Sequence, residues 1–353
     1  METDTRQSAD LAWMDHADEA LACWGLKGAA TRHLSLSENA TFEVTPPCGS
    51  ERFVLRLHRP GYRGEAEIES ELAWLHAIAD TGAVRVAEPI AAPTGSELCS
   101  FVNSNGNVQQ AVLFEFLEGK PPRDEDFARC MQDIGQIAAS LHSQSAQWSA
   151  PRRFERMTWN AERMFGATCD YGDWRSTEGI PQAMRETMER VERKIRYELA
   201  AYVRHSRNYG LIHSDLRPDN LMVAPDNTIA VLDFDDCGFS WFMFDVACTF
   251  SFEEANPDLE DMLWAYLYGY SRGAGPLADE DFLFAPTCFM ARRLSMLAWV
   301  EFRRETPYAQ QIHDRFIRET EAIANEYLDN RYLRRIVDMA GHRALPHDLD
   351  LVG

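Results

Sequence analysis

The stretch from Gly210 to Gly238 constrains this chain more than any other part of its sequence. It reads GLIHSDLRPDNLMVAPDNTIAVLDFDDCG, and its polar side chains form two groups on either side of a short apolar segment. That segment consists of two apolar runs around Pro225-Asp226-Asn227, residues that are typical of a tight turn. Because a hairpin returns the chain to its starting point, the loops before and after it are expected to be neighbours.

The first loop holds His213, Asp215 and Asn220, and the second holds Asp233 and Asp235. This set suits magnesium and a triphosphate, because phosphoryl transfer needs a carboxylate for the attacking hydroxyl and oxygen ligands for the metal. Asp215 fits the first role, and Asn220 with Asp233 fits the second. Asp235 is either an additional ligand or a partner behind the ligands. His213 fits a brace for the loop better than a base, because Asp215 already fills that role.

The charge of the chain limits its partners. Its 353 residues include 35 Lys and Arg against 56 Asp and Glu, which gives a net charge of -21. Nucleic acid and anionic membranes attract basic proteins, so we expect neither as a partner. An acidic surface tolerates a cationic substrate, although such surfaces more often serve solubility. The hydrophobic share of 45% is that of an ordinary globular protein, and the length favours two domains.

Several features favour a soluble protein of the cytoplasm. The eight cysteines contain no CxxC pair, which predicts neither a zinc site nor a disulfide framework. The first twenty residues are polar and acidic, unlike a signal peptide. The longest apolar stretch, Phe239 to Phe252, is interrupted by Asp245 and is too short to span a bilayer.

Hydrophobic periodicity changes along the chain from strand-like to helical. The first part predicts, in order, a helix at 8–30, a β-hairpin at 33–59, a helix at 68–80, and strands at 84–91 and 112–117. A hinge follows near 114–119, where Gly119 precedes two prolines closely. Beyond it, apolar stripes such as Met184, Met188 and Val191 indicate helices. The sequence therefore predicts an α+β protein with a sheet-rich lobe at 1–117 and a helical lobe at 118–353.

The string HSDLRPDN followed by LDFDD resembles the catalytic loops of the aminoglycoside phosphotransferase and choline kinase-like family, distant relatives of the protein kinases. The resemblance extends from about Leu34 to about Tyr327. It implies a two-lobed protein-kinase-like fold and an ATP- and Mg²⁺-dependent phosphotransferase that acts on an alcohol. By position it implies these roles: base for Asp215, magnesium ligands for Asn220 and Asp233, a brace for Asp245, and contact with the γ-phosphate for Arg217.

The resemblance also assigns the nucleotide site, with one departure. Arg56 stands where the family carries a basic residue, usually lysine, on the third strand, and arginine can hold phosphate bidentately. Its expected partner is Glu71, with Glu67 and Glu69 as competitors. No GxGxxG is present, so Ser37 and Asn39 are the expected side chains of the phosphate loop. The adenine pocket is expected to use Phe114, the carbonyl of Glu115 and the N–H of Leu117.

The acceptor is less defined by the sequence. A small metabolite or amino alcohol is favoured, because the family mostly acts on such molecules. The alternatives are a serine/threonine protein kinase of the bacterial stress-response type and a non-catalytic nucleotide-binding regulatory module. The adjacent Arg292 and Arg293 lie in an apolar helix, where a salt bridge within the lobe is favoured over contact with the substrate. The sequence predicts no oligomeric state.

Overall fold

A computed structural model describes residues 13–36, 39–47, 49, 51–122 and 127–341. The strands are β1 (Ala30–Leu36), β2 (Asn39–Thr45), β3 (Phe53–His58), β4 (Arg85–Val86), β5 (Leu98–Val102), β6 (Val108–Glu115), β7 (Tyr209–Ile212), β8 (Leu221–Val223), β9 (Ile229–Val231) and β10 (Gly238–Trp241). The helices are α1 (13–21), α2 (Glu65–Thr81), α3 (Phe127–Gln147), α4 (Ala161–Phe165), α5 (Gln182–Ala201), α6 (Phe242–Thr249), α7 (Leu259–Ala274), α8 (Asp279–Phe302), α9 (Pro307–Leu328) and α10 (Arg334–Val337).

The chain forms two compact units that are not contiguous in sequence. The first comprises Met1–Lys120, Ser149–Arg156 and Met222–Asp235, and the second comprises Pro121–Trp148, Met157–Leu221 and Asp236–Gly353. This division differs from the predicted lobes at 1–117 and 118–353, because two later segments belong with the first unit.

The first unit is built on a five-stranded antiparallel sheet in the order β1-β2-β3-β6-β5. The predicted hairpin at 33–59 is confirmed, with Phe42 opposite Leu55 and Thr41 opposite Arg56. One face of the sheet packs against α1. The core between them is formed by buried apolar residues that include Ala17, Ala20 and Leu21 of α1 and Phe42, Leu55, Leu57 and Leu113 of the sheet. Arg56 and His58 alternate with the leucines of β3 and are also buried, so both faces of this strand are covered.

The predicted hairpin around Pro225-Asp226-Asn227 is also confirmed. Its strands β8 and β9 are hydrogen-bonded neighbours in a small sheet of order β4-β9-β8. The turn closes with the N–H of Asn227 donating to Ala224 O at 2.9 Å, and Asn227 has a φ of 65°. Asparagine tolerates this left-handed conformation better than most residues.

The second unit is mainly helical. The predicted apolar stripe of α5 is buried, from Met184 to Leu199. Helices α3 and α7 approach so closely that a Cβ at Gly135 would lie 2.0 Å from the carbonyl oxygen of Tyr266. A Cβ at Gly269 would lie equally close to the carbonyl oxygen of Gln132, so glycine is required on both helices.

The prediction of the elements of the first unit differs from the structure in two bounds and one strand. The helix predicted at 8–30 ends at residue 21 and is followed by a 3₁₀ turn, Ala22–Trp24, which Gly25 terminates with a φ of 70°. The strand predicted at 84–91 is only the two residues of β4, and β5 was absent from the prediction. Residues 1–12, where the predicted helix begins, lie outside the described residues.

One cysteine pair also departs from expectation. Cys23 and Cys99 are joined by a disulfide, with Cα atoms 6.4 Å apart and a sequence separation of 76. The sequence predicts no disulfide framework, and this one pair departs from that expectation, because packing in the first unit brings together residues that have no local spacing pattern. Among the described residues, none of the helices has both the length and the apolar character needed to cross a membrane.

Candidate active site

The loop after β7 carries the first group of predicted residues. Ser214 has a φ of 73°, a conformation that residues with side chains seldom adopt and that is common at functional sites. The carboxylate of Asp245 supports this turn by accepting from the N–H of Ser214 at 2.6 Å and from that of His213 at 3.3 Å. Asp245 therefore braces the loop, as the resemblance implies.

Asp245 is itself held in place from α3. It is fully buried, and His142 Nε2 lies 2.9 Å from its Oδ2 while His142 Nδ1 lies 3.0 Å from the hydroxyl of Tyr270. Burial opposes ionisation of Asp245, but its interactions, above all the hydrogen bond with His142, outweigh this and keep the pKa of Asp245 below its ordinary value. The loop thus rests on a buried carboxylate with several donors.

His213 has a supporting position. Its side chain is fully buried, and Nδ1 accepts a hydrogen bond from the N–H of Asp215 at 3.2 Å. The ring therefore fixes the backbone of the residue proposed as base. This contact fits the bracing role that the sequence favoured for His213.

Asp215 lies among cationic and amide groups. Its Oδ1 accepts from Arg217 Nε at 2.9 Å and lies 3.6 Å from Arg292 Nη2, and its Oδ2 accepts from Asn220 Nδ2 at 2.8 Å. Burial opposes ionisation, but the charges of Arg217 and Arg292 overcome it and hold the pKa of Asp215 below its usual value. The carboxylate is thus ionised and oriented.

Asn220 follows in a 3₁₀ turn, Pro218–Asn220, with proline at the position where a missing N–H costs least. Its amide nitrogen is committed to Asp215, donating both to Oδ2 and to the backbone carbonyl at 2.8 Å. The amide oxygen is the atom that remains to ligate a metal ion.

The two adjacent arginines of α8 have separate functions. Arg293 is fully buried and forms ion pairs with Glu254 at 2.8 Å and Glu319 at 3.3 Å, which is the predicted salt bridge within the lobe. Arg292 donates from Nε to Ser251 Oγ at 2.8 Å and presents Nη2 to Asp215. The sequence could not tell which of the two would reach the catalytic loop.

In the first unit, Arg56 pairs with Glu71 of α2. Arg56 Nη2 lies 2.8 Å from Glu71 Oε1, and both side chains are almost completely buried. Glu67, a predicted competitor, instead accepts from the N–H of Gly64 at 3.0 Å and caps α2. The Arg56 guanidinium also lies 5.0 Å from the centre of the Phe114 ring, so three of the predicted nucleotide residues are adjacent.

The loop after β9 belongs to the same unit. Asp233 is exposed and has a φ of 61°, so this loop also contains a residue in the left-handed region. Asp235 is buried, and burial opposes its ionisation, but the charges of Arg56, Arg63 and Arg156 lower its pKa. This cationic surrounding favours the alternative in which Asp235 stands behind the metal ligands.

The other residues predicted to contact the nucleotide show no hydrogen bond or ion pair with the Arg56–Glu71 pair among the described residues. Asn39 is buried at the start of β2, opposite His58, and its Oδ1 has no hydrogen-bond partner among the described residues. Glu115 uses its carboxylate to bind Arg85 at 2.9 Å, and Leu117 follows β6 beyond the end of the strand ladder. Ser37 lies outside the described residues.

Sequence reasoning missed several buried polar or charged residues near these sites. They are His58, Arg63, His142 and Arg156. Burial lowers the pKa of His58 to about 3, so the imidazole is neutral beside Arg56. No local motif marks these residues, because each acquires its neighbours through folding.

Comparison with known proteins identifies the family. The family model of the phosphotransferase enzyme family, known as APH, matches residues 30–277, which is well over half of the chain. The chain belongs to the phosphotransferase enzyme family. It is accordingly an enzyme, a kinase with an alcohol group as acceptor. Amicoumacin kinase of Bacillus subtilis is 24% identical over 232 residues, which cover 65% of each chain.

Solved structures confirm the predicted kinase-like α+β fold. The microcompartment-associated aminopropanol kinase is 33% identical and superposes with a TM-score of 0.82, covering 90% of this chain and 98% of that one. The amicoumacin kinase hAmiN, solved with AMP-PNP, Ca²⁺ and Ami, is 20% identical with a TM-score of 0.68, covering 83% and 88%. At 20% identity the second likeness concerns the fold alone.

Proposed function

We propose that this enzyme transfers the γ-phosphate of ATP, in the presence of Mg²⁺, to the hydroxyl of a small amino alcohol. The observation that carries the proposal is the setting of Asp215, an ionised carboxylate whose backbone is fixed by His213 and whose oxygens face Arg217 and Asn220. An alcohol acceptor needs such a carboxylate to orient its hydroxyl and accept its proton.

Asp215 is the proposed base, and Arg217 is the proposed contact for the transferred phosphate. Arg217 is 27% exposed in its side chain and lies on the loop, whereas Arg292 is fixed in α8 at 5% exposure. Arg217 can therefore turn toward a phosphate while Arg292 stays beside Asp215. A guanidinium suits this task because its planar fork matches phosphate oxygens.

The nucleotide role is assigned to the first unit. We infer that Arg56, oriented by Glu71, contacts the α- and β-phosphates, and that Phe114 borders the adenine pocket. The carbonyl of Glu115 and the N–H of Leu117 stay the proposed contacts for the adenine edge. Ser37 and Asn39 stay the proposed contacts of the phosphate loop.

The residues present fit Mg²⁺, which takes few protein oxygens and keeps several waters. The proposed ligands are the free amide oxygen of Asn220 and the carboxylate of exposed Asp233, with Asp235 as a support behind them. No cluster of three or more His, Cys, Asp or Glu side chains suited to a metal occurs in the described part of the chain, so a dense protein cage is not proposed. When bound, the ion neutralises charge on the phosphates.

The amino-alcohol acceptor is supported by the likeness to aminopropanol kinase, at 33% identity across 90% of this chain. The net charge of -21 is compatible with a cationic acceptor. Both observations favour a small acceptor over the protein-kinase alternative. The third possibility, a non-catalytic nucleotide-binding module, is disfavoured by the complete set of Asp215, Asn220 and Asp233.

An acceptor panel tests the proposed function. Purified enzyme with Mg²⁺ and ATP is expected to release ADP with aminopropanol at least about tenfold faster than with propanediol, in which a hydroxyl replaces the amine. For comparison, ATP labelled in its γ-phosphate is offered with aminoglycosides, homoserine or a generic protein as the acceptor. Label transferred only to the protein would favour a protein kinase. Absence of any thermal shift with Mg²⁺ and ATP would contradict the nucleotide role itself.

Replacing Arg56 with methionine is expected to weaken nucleotide affinity by about 10- to 100-fold, because charge-assisted hydrogen bonds contribute about 1.5–3 kcal/mol. The single variant also leaves Glu71 buried without its partner, which costs about 3–5 kcal/mol of stability. The double variant Arg56→Met with Glu71→Met should recover stability but keep the weak nucleotide affinity. Calorimetric titration and thermal melts measure both quantities.

The exposed Arg32, which pairs with Glu43 on the same sheet, provides the control. Arg32→Met should change neither property measurably, because Arg32 is exposed and Glu43 keeps Arg52 as a second partner at 2.9 Å. Recovery of nucleotide affinity together with stability in the double variant would mean that Arg56 has only a structural role.

A further inference from the structure

Residues 149–156 form an unusual excursion of the chain. They belong to the first unit, although the residues before and after them belong to the second. Within the excursion, Arg152 and Arg153 are exposed, whereas Arg156 is 8% exposed. A long charged side chain is seldom buried unless its donors are used, so the contacts of Arg156 explain why the chain takes this path.

The guanidinium of Arg156 connects two separate elements. Its Nη1 donates to the carbonyl of Glu67, in the first turn of α2, at 3.1 Å. Its Nη2 donates to the carbonyl of Asp235, in the loop after β9. A carbonyl oxygen accepts two hydrogen bonds, so the Glu67 contact is compatible with the helix.

A second contact attaches the excursion to the same helix. The N–H of Glu155 donates to Ser70 Oγ at 2.7 Å, and this hydroxyl donates to the carbonyl of Ala66 at 2.7 Å. The backbone before Arg156 is therefore attached to α2. The guanidinium then extends from this attachment to the loop.

The two connected elements carry the proposed nucleotide and metal residues. Helix α2 supplies Glu71, which pairs with Arg56, and the loop supplies Asp233. The same loop and helix also share an aromatic contact, in which the ring of Phe234 packs edge-on against Trp74 of α2, with centroids 5.4 Å apart. The aromatic contact is apolar, whereas the hydrogen bond from Arg156 holds the loop backbone at Asp235.

We propose that Arg156 is a positioning residue that holds α2 and the 233–235 loop in a fixed register, so that Arg56 and Asp233 are placed together for the nucleotide and its metal. The inference rests on the proposed function, which assigns those two residues their roles. Arginine suits this role because the two nitrogens of its planar fork, Nη1 and Nη2, each reach a different carbonyl, whereas lysine carries all its donors on a single nitrogen.

The test compares Arg156→Met, Arg156→Lys and the matched control Arg153→Met, which changes an exposed arginine of the same excursion. Arg156→Met is expected to weaken binding of Mg²⁺ with a non-hydrolysable ATP analogue about tenfold, measured by calorimetry. The KM for ATP should rise by a similar factor while the KM for the acceptor stays unchanged. Arg156→Lys should recover little of this loss, and Arg153→Met should match the wild type.

Hydrogen exchange gives a readout that does not depend on activity. The amides of residues 232–236 should exchange faster in Arg156→Met than in the wild type, and the amides of β7 should be unaffected. Nucleotide affinity and loop exchange equal to the wild type in Arg156→Met would overturn the inference while leaving the proposed function intact. Equal increases in the KM for ATP and the KM for the acceptor would indicate a general structural role of Arg156 and would also overturn the inference. A wild-type protein that binds no nucleotide would overturn both.

Discussion

Replacing Asp215 with asparagine is expected to lower kcat by about 10³-fold while changing nucleotide affinity by less than about twofold. The carboxylate is the proposed acceptor of the proton from the acceptor hydroxyl, and asparagine keeps its size without its basicity. The substitution should not disturb the loop, because the backbone at this position is held by His213 and by Asn220. Steady-state kinetics and calorimetry measure the two effects separately.

Asp219 provides the control for this experiment. It lies in the same loop, its side chain is 81% exposed, and its contact with Arg217 is a long 3.6 Å. Asp219→Asn is therefore expected to retain nearly all activity. Turnover in Asp215→Asn at more than about a tenth of the wild-type rate would show that another group is the base.

Features set by short stretches of sequence could be predicted well. The hairpin of β8 and β9 follows from two apolar runs around residues that favour turns, and Asn227 adopts the left-handed conformation that such a turn uses. The hairpin of β2 and β3 follows from alternation, and this also places Arg56 away from the leucines on either side of it. In each case the signal lies within about twenty residues.

Features that depend on distant packing could not be predicted. His142 is 103 residues from Asp245 in sequence, and Arg156 is 79 residues from Asp235. Neither residue lies in a motif, and a contiguous division of the chain cannot foresee that 149–156 and 222–235 join the first unit. Burial of a charged side chain is decided by the partners that folding brings to it, and one sequence does not record those partners.

The loop after β7 shows how far a single sequence can predict a site. Its residues are evident in the sequence, but its conformation depends on Asp245, which is fully buried and receives donors from His142, His213 and Ser214. The left-handed Ser214 is an unfavourable conformation that the surrounding hydrogen bonds stabilise. Catalytic geometry and stability are therefore expected to depend on the same carboxylate.

Asp245→Ala is accordingly expected to reduce the free energy of unfolding by about 3–5 kcal/mol, because it leaves buried donors without an acceptor. The melting temperature should fall by about 10 °C, at about 2–4 °C for each kcal/mol. The kcat of the folded fraction should also fall by about 10²-fold, since displacement of the base by about 1 Å has an effect of that size. Thermal melts and kinetics below the transition measure these changes.

Asp281 separates the loss of stability from the loss of catalysis. It accepts hydrogen bonds from Tyr202 at 2.6 Å and from the N–H of Ala278 at 2.9 Å, at the start of α8, and neither of these bonds involves the catalytic loop. Asp281→Ala should therefore lower stability without lowering the kcat of the folded fraction. If Asp245→Ala behaved in the same way, Asp245 would stabilise the fold without positioning the base, because a misplaced base must slow the transfer even in molecules that remain folded.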